Sequence, residues 1–374
     1  MAGSDSARSS ELSVMAIAHG AHPLYSPSRP PAQTGSRRQS MIRDDDADFH
    51  PPDPAHPTWA ETNYFGFYNA EEHLNVGVYA LFRTNLGTVT TSVCMNSRRT
   101  VTHWEADFCD MRSAVPIPQP RNLRDYALSS GLHVRCLAPN RQWQIDYDDG
   151  HGTRIDVRYE ALMPAFDIHD PAMDPMCASA SQEGKFAWGT AYNGHFDQTG
   201  AFKGSVTVRG RTVPIDCVST MDHSWGPRPE RGAPAMSWLH AHFSKDLAIH
   251  AILGFDPAQD NGRELWLAHG YVLERGKVFG LKAGTGQTLR KQERYPESIA
   301  LRLTDSTNRV WELNGRAVTT MPWVYVPNSI GFNTLSEWTC GTQRGWGEVM
   351  DFIELPVLNT LNSAPATLRA SKPL

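Results

Sequence analysis

Apolar and polar residues alternate with a period of two along most of the chain from Thr58 onward. NVGVYALFRT, TVTTSVCMN, LHVRCLA, RQWQIDY and TRIDVRYEAL are short, rich in β-branched or aromatic residues, and divided by turn signals such as NLG and DDGHG. The second half follows the same grammar in GAFKGSVTVRG, RTVPIDCVS, SWLHAHF, LAIHAILGF, ELWLAHGYVLERGKVFGL and GWGEVMDFIEL. Helical periodicity is confined to two short candidates, at 69–74 and 123–129. Short strands at regular turn spacing predict an all-β protein of sandwich or barrel type, in two antiparallel units joined around 160–215.

Segments that break the alternation set the domain limits. Residues 1–55 are rich in Ser, Pro, Arg, Asp and Ala and are expected to form a flexible leader, because they offer too little apolar surface to offset ordering. Residues 363–374 read as a flexible tail, leaving an N-terminal unit at 56–200 and a C-terminal unit at 201–362. The stretch 163–200 is long, poor in alternation and rich in Met, Asp, Gly and aromatics. Its Phe186, Trp188, Tyr192 and Phe196 argue against disorder and for packing at the junction of the two units.

Composition narrows the partners. The chain has 374 residues, 40% of them hydrophobic, and a formal net charge of -5, with no Lys/Arg block longer than a pair. That balance excludes nucleic acid as an expected partner. No apolar run approaches the ~20 residues needed to span a bilayer, and the apolar patch from Val14 to Ala18 is too short and poorly flanked to be expected as a secretory signal. The six cysteines include no C-x-x-C, so they are expected to be reduced thiols of a cytoplasmic protein.

Titratable and aromatic side chains gather most densely in 219–255. Asp222, His223, Trp225 and Arg228 lie in a Pro/Gly-punctuated stretch that reads as a turn. Alternation on the following strand points Trp238, His240 and His242 one way and Leu239, Ala241 and Phe243 the other. A three-residue turn at 244–246 would set His250 opposite His240 on the same face; a one-residue slip would turn His250 away. In a partly apolar pocket Asp222 would hold its proton near neutrality and act as a general acid. The competing reading has Asp222 capping the turn or paired with Arg228, and Trp225 as core. The imidazoles are read as a cavity lining or, alternatively, as metal ligands. Glu348 is either a second inward carboxylate or an edge charge facing water, and Glu61 to Phe65 are placed just ahead of the first strands. P-loop, G-x-G-x-x-G and G-x-S-x-G motifs are missing.

The segments WAETNYFGF (59–67), MDHSWGPR (221–228), GYVLERG (270–276) and GTQRGWGE (341–348), with the strand carrying Trp238, resemble the hydroxyneurosporene synthase (carotenoid 1,2-hydratase) and AttH-like proteins. The resemblance implies two tandem lipocalin-like antiparallel β-barrels over about residues 58–360. It also implies addition of water to an alkene, or cyclisation or isomerisation of a polyene, with no metal and no organic cofactor. On that basis Asp222 is the proton donor, above an apolar cavity between the barrels. His240, His242 and His223 complete the catalytic set. Trp188, Tyr192, Trp225, Arg228, Trp238, His250, Tyr64 and Glu348 are expected around a hydrophobic small-molecule substrate. Two other readings stay open: a carrier of an apolar molecule that catalyses nothing, and a metal enzyme built on His240 and His242.

Overall fold

The computed structural model describes residues 42–177, 193–228, 231–291, 294–326 and 328–363. Nearly all of them lie in strands or the turns between strands. The first set comprises β1 (Trp59–Asn69), β2 (Leu74–Arg83), β3 (Thr88–Asn96), β4 (Phe108–Pro116), β5 (Asp125–Ala127) and β6 (Leu132–Ala138). It continues with β7 (Gln142–Asp148), β8 (Arg154–Ala161), β9 (Phe166–Asp167), β10 (Gly194–Val208) and β11 (Arg211–Pro227). These make one eleven-stranded sheet in the order β4-β3-β2-β1-β11-β10-β8-β7-β6-β5, with β9 paired to β10.

The second set closes into an eight-stranded barrel in which each strand neighbours the next. Its members are β12 (Met236–Ser244), β13 (Leu247–Gly254), β14 (Glu264–Glu274) and β15 (Lys277–Arg290). They are followed by β16 (Pro296–Asp305), β17 (Val310–Val326), β18 (Ser329–Cys340) and β19 (Gln343–Glu354), and then by the helix α1 (Leu355–Ser363). The expected all-β tandem is therefore present, with one difference in shape. The C-terminal unit closes, whereas the N-terminal sheet curls around its own core and leaves β4 and β5 as edges.

Burial patterns explain the layering. On β7 and β8, Trp143, Ile145, Tyr147, Ile155, Val157 and Tyr159 are buried and the residues between them more exposed, as expected where one face is covered. Strands β1 and β2 are buried on both faces. Phe65, Phe67, Val78 and Phe82 enter the core of the curled sheet with Phe202 and Val157. Tyr64, Tyr79 and Leu81 project the other way and pack with Trp238, Tyr271 and Trp323 of the barrel's outer wall. Leu239, Ala241, Ile249, Leu303, Trp311 and Trp338 fill the barrel itself. The described residues make one compact unit.

Several expectations change. Residues 222–227 are not a turn but the end of β11, paired to β1 and β10 along their length. Likewise Glu61 to Phe65 lie within β1 rather than ahead of it. Residues 69–74 form a tight turn, and 125–127 form β5, so neither helix candidate is helical. The step from sheet to barrel falls between Pro227 and Met236, and residue 200 lies inside β10. Part of the expected leader is packed: a 3-10 turn over Asp44–Ala47 buries Asp46 and Ala47. The six cysteines are free thiols. Among the described residues, no helix is long and apolar enough to cross a membrane.

Phe202 packs against Phe67 and Tyr159 at ring-centroid distances of 5.4 and 4.9 Å and is fully buried. Phe202→Ala is expected to cost ~3–5 kcal/mol, whereas Leu137→Ala at an exposed position should stay within ~0.5 kcal/mol. Urea denaturation of both variants checks the difference, and similar midpoints would contradict the packing described.

Candidate active site

Strand register builds one row of side chains on the barrel-facing side of the sheet. Asp197 on β10 lies opposite Asp222 on β11, Asp222 opposite Tyr64 on β1, and Tyr64 opposite Tyr79 on β2. Across the seam the barrel presents Trp238, His240 and His242 from alternate positions of β12. His250 on β13 sits opposite His240, and Tyr271 on β14 opposite His250. His240 does face His250, but not through a three-residue turn at 244–246: Ser244 pairs with Leu247 across a two-residue turn, and a register shift between His242 and Ser244 restores the pairing.

Asp197 is the most heavily bonded group of the row. Trp238 Nε1 donates to its Oδ1 at 2.9 Å, and His195 Nε2 and His250 Nε2 lie 3.0 and 3.1 Å from its Oδ2. Burial opposes its ionisation, yet His250 and His195 outweigh that and hold the carboxyl well below the usual carboxylate range. His195 is buried too, and the Asp197 carboxylate raises its pKa against that burial. An Asp197–His195 ion pair results.

Asp222 has the opposite surroundings. Among the described residues, no hydrogen bond reaches its carboxyl, and desolvation and neighbouring charges alone shift it. Burial pushes its pKa up to about 7 and the Asp197 charge reinforces this, while His195 and Arg228 pull the other way. Protein atoms crowd it, yet part of the residue stays open to solvent. Arg228 instead donates to Ser224 Oγ at 2.6 Å and to Tyr79 Oη at 3.2 Å.

Glu348 forms a second carboxyl centre on the barrel wall. Tyr64 Oη donates to its Oε2 at 2.9 Å and Asn75 Nδ2 to its Oε1 at 2.8 Å, both from the sheet. Burial pushes Glu348 up to about 7 despite hydrogen bonds from Tyr64, Asn75 and Asn333. The close approach needs Gly66, where a Cβ would lie 2.2 Å from Glu348 Oε2. His240 Nδ1 accepts the Glu348 N–H at 3.4 Å and lies 3.2 Å from His242 Nδ1, while its Nε2 faces Glu348 Oε2 at 3.5 Å. Burial and neighbouring imidazoles lower the pKa of His240 and His242, so both are neutral. His242 Nε2 meets Thr220 Oγ1 at 3.0 Å. The three imidazoles do not converge on one point, because His240 and His242 face each other and His250 faces Asp197.

The structure thus brings together Asp222, His240, His242, His250, Trp238, Tyr64 and Glu348, with Arg228 beside them. His223 and Trp225 are not there. Alternation on β11 turns both to the opposite face, where Trp225 stacks on His50 at 3.9 Å and His223 lies 3.5 Å from Glu61. Trp188 and Tyr192 lie outside the described residues. Asp197, His195, Asn75 and Asn333 have no counterpart among the expected site residues. The one cue to the first two was the alternation of His195 and Asp197 within HFDQTG.

Residues 43–353 match the family described as a domain of unknown function, DUF7064. The chain belongs to that family. No curated protein matches it in sequence. Among solved structures, a putative AttH from Nitrosomonas europaea is similar at 10% identity and a TM-score of 0.53, over 86% of this chain and 98% of that one. CghA, in a structure with Sch210972, is similar at 12% identity and a TM-score of 0.53, over 80% and 89%. Kievitone hydratase from Nectria haematococca aligns at 13% identity and a TM-score of 0.48, over 85% and 94%. The two likenesses at a TM-score of 0.53 establish for the DUF7064 chain the AttH-like fold that its sequence resembles.

The Asp222 environment has a consequence for stability. Its folded pKa, about 7, lies above the ordinary 3.8, so the protonated carboxyl favours the fold. That contribution is complete below pH ~4 and is lost as pH rises through ~7. Asp222→Asn removes the titration. The stability of wild type relative to the variant should therefore fall between those limits in urea denaturation. A difference independent of pH would show that this carboxyl titrates normally.

Proposed function

We propose that the seam is the centre of a lyase or isomerase that adds or removes water, or closes or shifts a double bond, on an apolar small molecule. The observation that carries this is the division of labour between Asp197 and Asp222. The pKa values of the facing carboxyls have been driven apart, one held ionised by Trp238, His195 and the nearby His250 ring, the other raised to about 7 with no hydrogen bond among the described residues. Separated pKa values of this kind mark acid–base pairs.

In the forward sense Asp222 gives its proton to an alkene carbon or to a departing hydroxyl. Positive charge then develops on substrate carbon. Trp238 and Tyr64, edge to face at 5.7 Å, offer π surface to it, worth ~0.5–2 kcal/mol for each ring in a desolvated site. The Asp197 carboxylate lies beyond Trp238 Nε1 and adds its charge. Loss of a proton from the neighbouring carbon, or from an added water, restores a neutral product. The neutral imidazoles of His240 and His242 orient that water, and the Asp222 carboxylate takes the proton back. Every proton moves between side chains and substrate. Kinship with hydroxyneurosporene synthase, as the sequence resembles it, would make the substrate a terpenoid or polyene. Steroid and aromatic compounds fit the same apolar wall.

Asp222→Asn is expected to lower turnover about 10²–10⁴-fold, the usual share of a positioned acid, with the far-UV spectrum unchanged. In wild type the rate should fall as pH rises through about 7. Small molecules that co-purify with the Asn variant, identified by mass spectrometry, supply the substrate for the assay. Equal turnover by the two proteins would remove the acid. A retained ligand that wild type leaves unchanged on long incubation would make the protein a carrier.

A further inference from the structure

The opposite face of β11 holds a second buried cluster that the chemistry above does not use. It joins the segment ahead of β1, β1 itself and β11 through His50, Glu61 and His223. One ligand atom from each lies within 4.8 Å of the others. His50 Nδ1 is 2.8 Å from Glu61 Oε1, and His223 Nε2 is 3.5 Å from the same oxygen. Ligand atoms around a tetrahedral ion with bonds of ~2.0–2.2 Å are separated by about 3.3 Å, so the three need only small shifts to share one ion.

Each imidazole is already oriented for that task. His223 Nδ1 donates to the Thr62 carbonyl at 2.6 Å, which fixes its tautomer and leaves a lone pair on Nε2. That nitrogen is buried, has no hydrogen-bond partner, and points at a carboxylate oxygen that is itself an acceptor. Two acceptors facing each other in a dry place call for a cation or a proton between them. His50 Nε2 lies 3.1 Å from Asp46 Oδ1, the carboxylate–histidine arrangement that supports a metal-binding nitrogen on the other side of the ring. Stacking on Trp225, with 4° between ring planes, holds the His50 plane. The His50 backbone N–H donates to Glu61 Oε2 at 3.0 Å, leaving Oε1 turned toward the two rings.

We propose that His50, Glu61 and His223 bind one borderline divalent cation, of which Zn²⁺ is the natural example, and so fasten the segment 43–50 to the sheet. Two nitrogens and one carboxylate oxygen suit that class, and water supplies the remaining coordination. The cluster is distinct from His240 and His242, which face the seam.

The test uses the full chain purified without a metal-affinity tag, stripped with chelator, and titrated with Zn²⁺ against a chromophoric competitor. About one ion per chain should be held, with an X-ray absorption edge showing nitrogen and oxygen neighbours and no sulfur. His223→Gln and His50→Gln should each weaken binding by at least about 100-fold, and Asp46→Asn by about 10–100-fold. Zn²⁺ should raise the melting temperature of wild type but not of either Gln variant. His50 precedes the first strand, so its variant tests the site without disturbing the sheet. Failure of wild type to retain the ion, sulfur in its coordination shell, or undiminished binding by His50→Gln would each overturn the assignment. The first of these outcomes would leave a proton shared by Glu61 and His223 as the occupant.

Discussion

Two carboxyl groups placed opposite each other on neighbouring strands, with a barrel wall over them, cannot both ionise. Like charges at cross-strand distance repel, and burial removes the water that would otherwise screen them. The chain resolves the conflict through unequal hydrogen bonding. Asp197 is bonded by Trp238 and His195 and has His250 Nε2 3.1 Å away, while among the described residues no hydrogen bond is made to the Asp222 carboxyl. Asp197 therefore keeps its charge, while the pKa of Asp222 is pushed up to about 7.

That seam exists because the first sheet does not close. A closed barrel offers one apolar interior and a solvated exterior, as β12 to β19 largely do. The curled sheet instead needs a cover for the outer face of β1, β2, β10 and β11, and the barrel's outer wall supplies it. Burying two such faces brings polar groups together unless they are paired. Tyr64 with Glu348, Thr199 with Tyr271, Thr220 with His242 and Ser92 with Trp323 pair them across the join. The cross-strand glycines Gly66 and Gly77 clear the space into which Glu348 and Asn333 reach. The same glycine sits within the WAETNYFGF segment, so the motif encodes a close approach as well as a strand.

Much of this was legible in advance, and the failures share causes. Alternation of period two identified the strands, but it left the 240–250 register open to a one-residue slip, and only the structure sets His240 opposite His250. Gly226 and Pro227 were read as a turn. They end β11, a place where a missing N–H and a relaxed φ cost little. That misreading put His223 and Trp225 beside Asp222, when strand alternation sends them to the opposite face. Asp197 was hidden because β10 emerges from a stretch whose composition suggests a loop. His50 was hidden for the converse reason: Asp- and Pro-rich sequence looks unfoldable when its anchors, Ala47 and Phe49 in the core and His50 on Trp225 and Glu61, lie against residues far along the chain. Closure of one sheet and not the other depends on tilt and register summed over many strands, which no single segment reveals.

Strand β11 links the two clusters. Asp222 and Ser224 face the barrel, and His223 with Trp225 face the inner core, so adjacent residues serve opposite sides of one backbone. The His223 ring is tied to the Thr62 carbonyl and Asn63 Oδ1 of β1. Ser224 Oγ meets Thr62 Oγ1 at 2.7 Å. Strand β1 also carries Tyr64, which holds Glu348 across the join. Any force that draws His223 toward Glu61 therefore acts on the same backbone that aims Asp222 at the seam. The inner cluster and the Asp222 carboxyl are thus coupled through one backbone, and the side-chain alternation of a single strand is the physical reason.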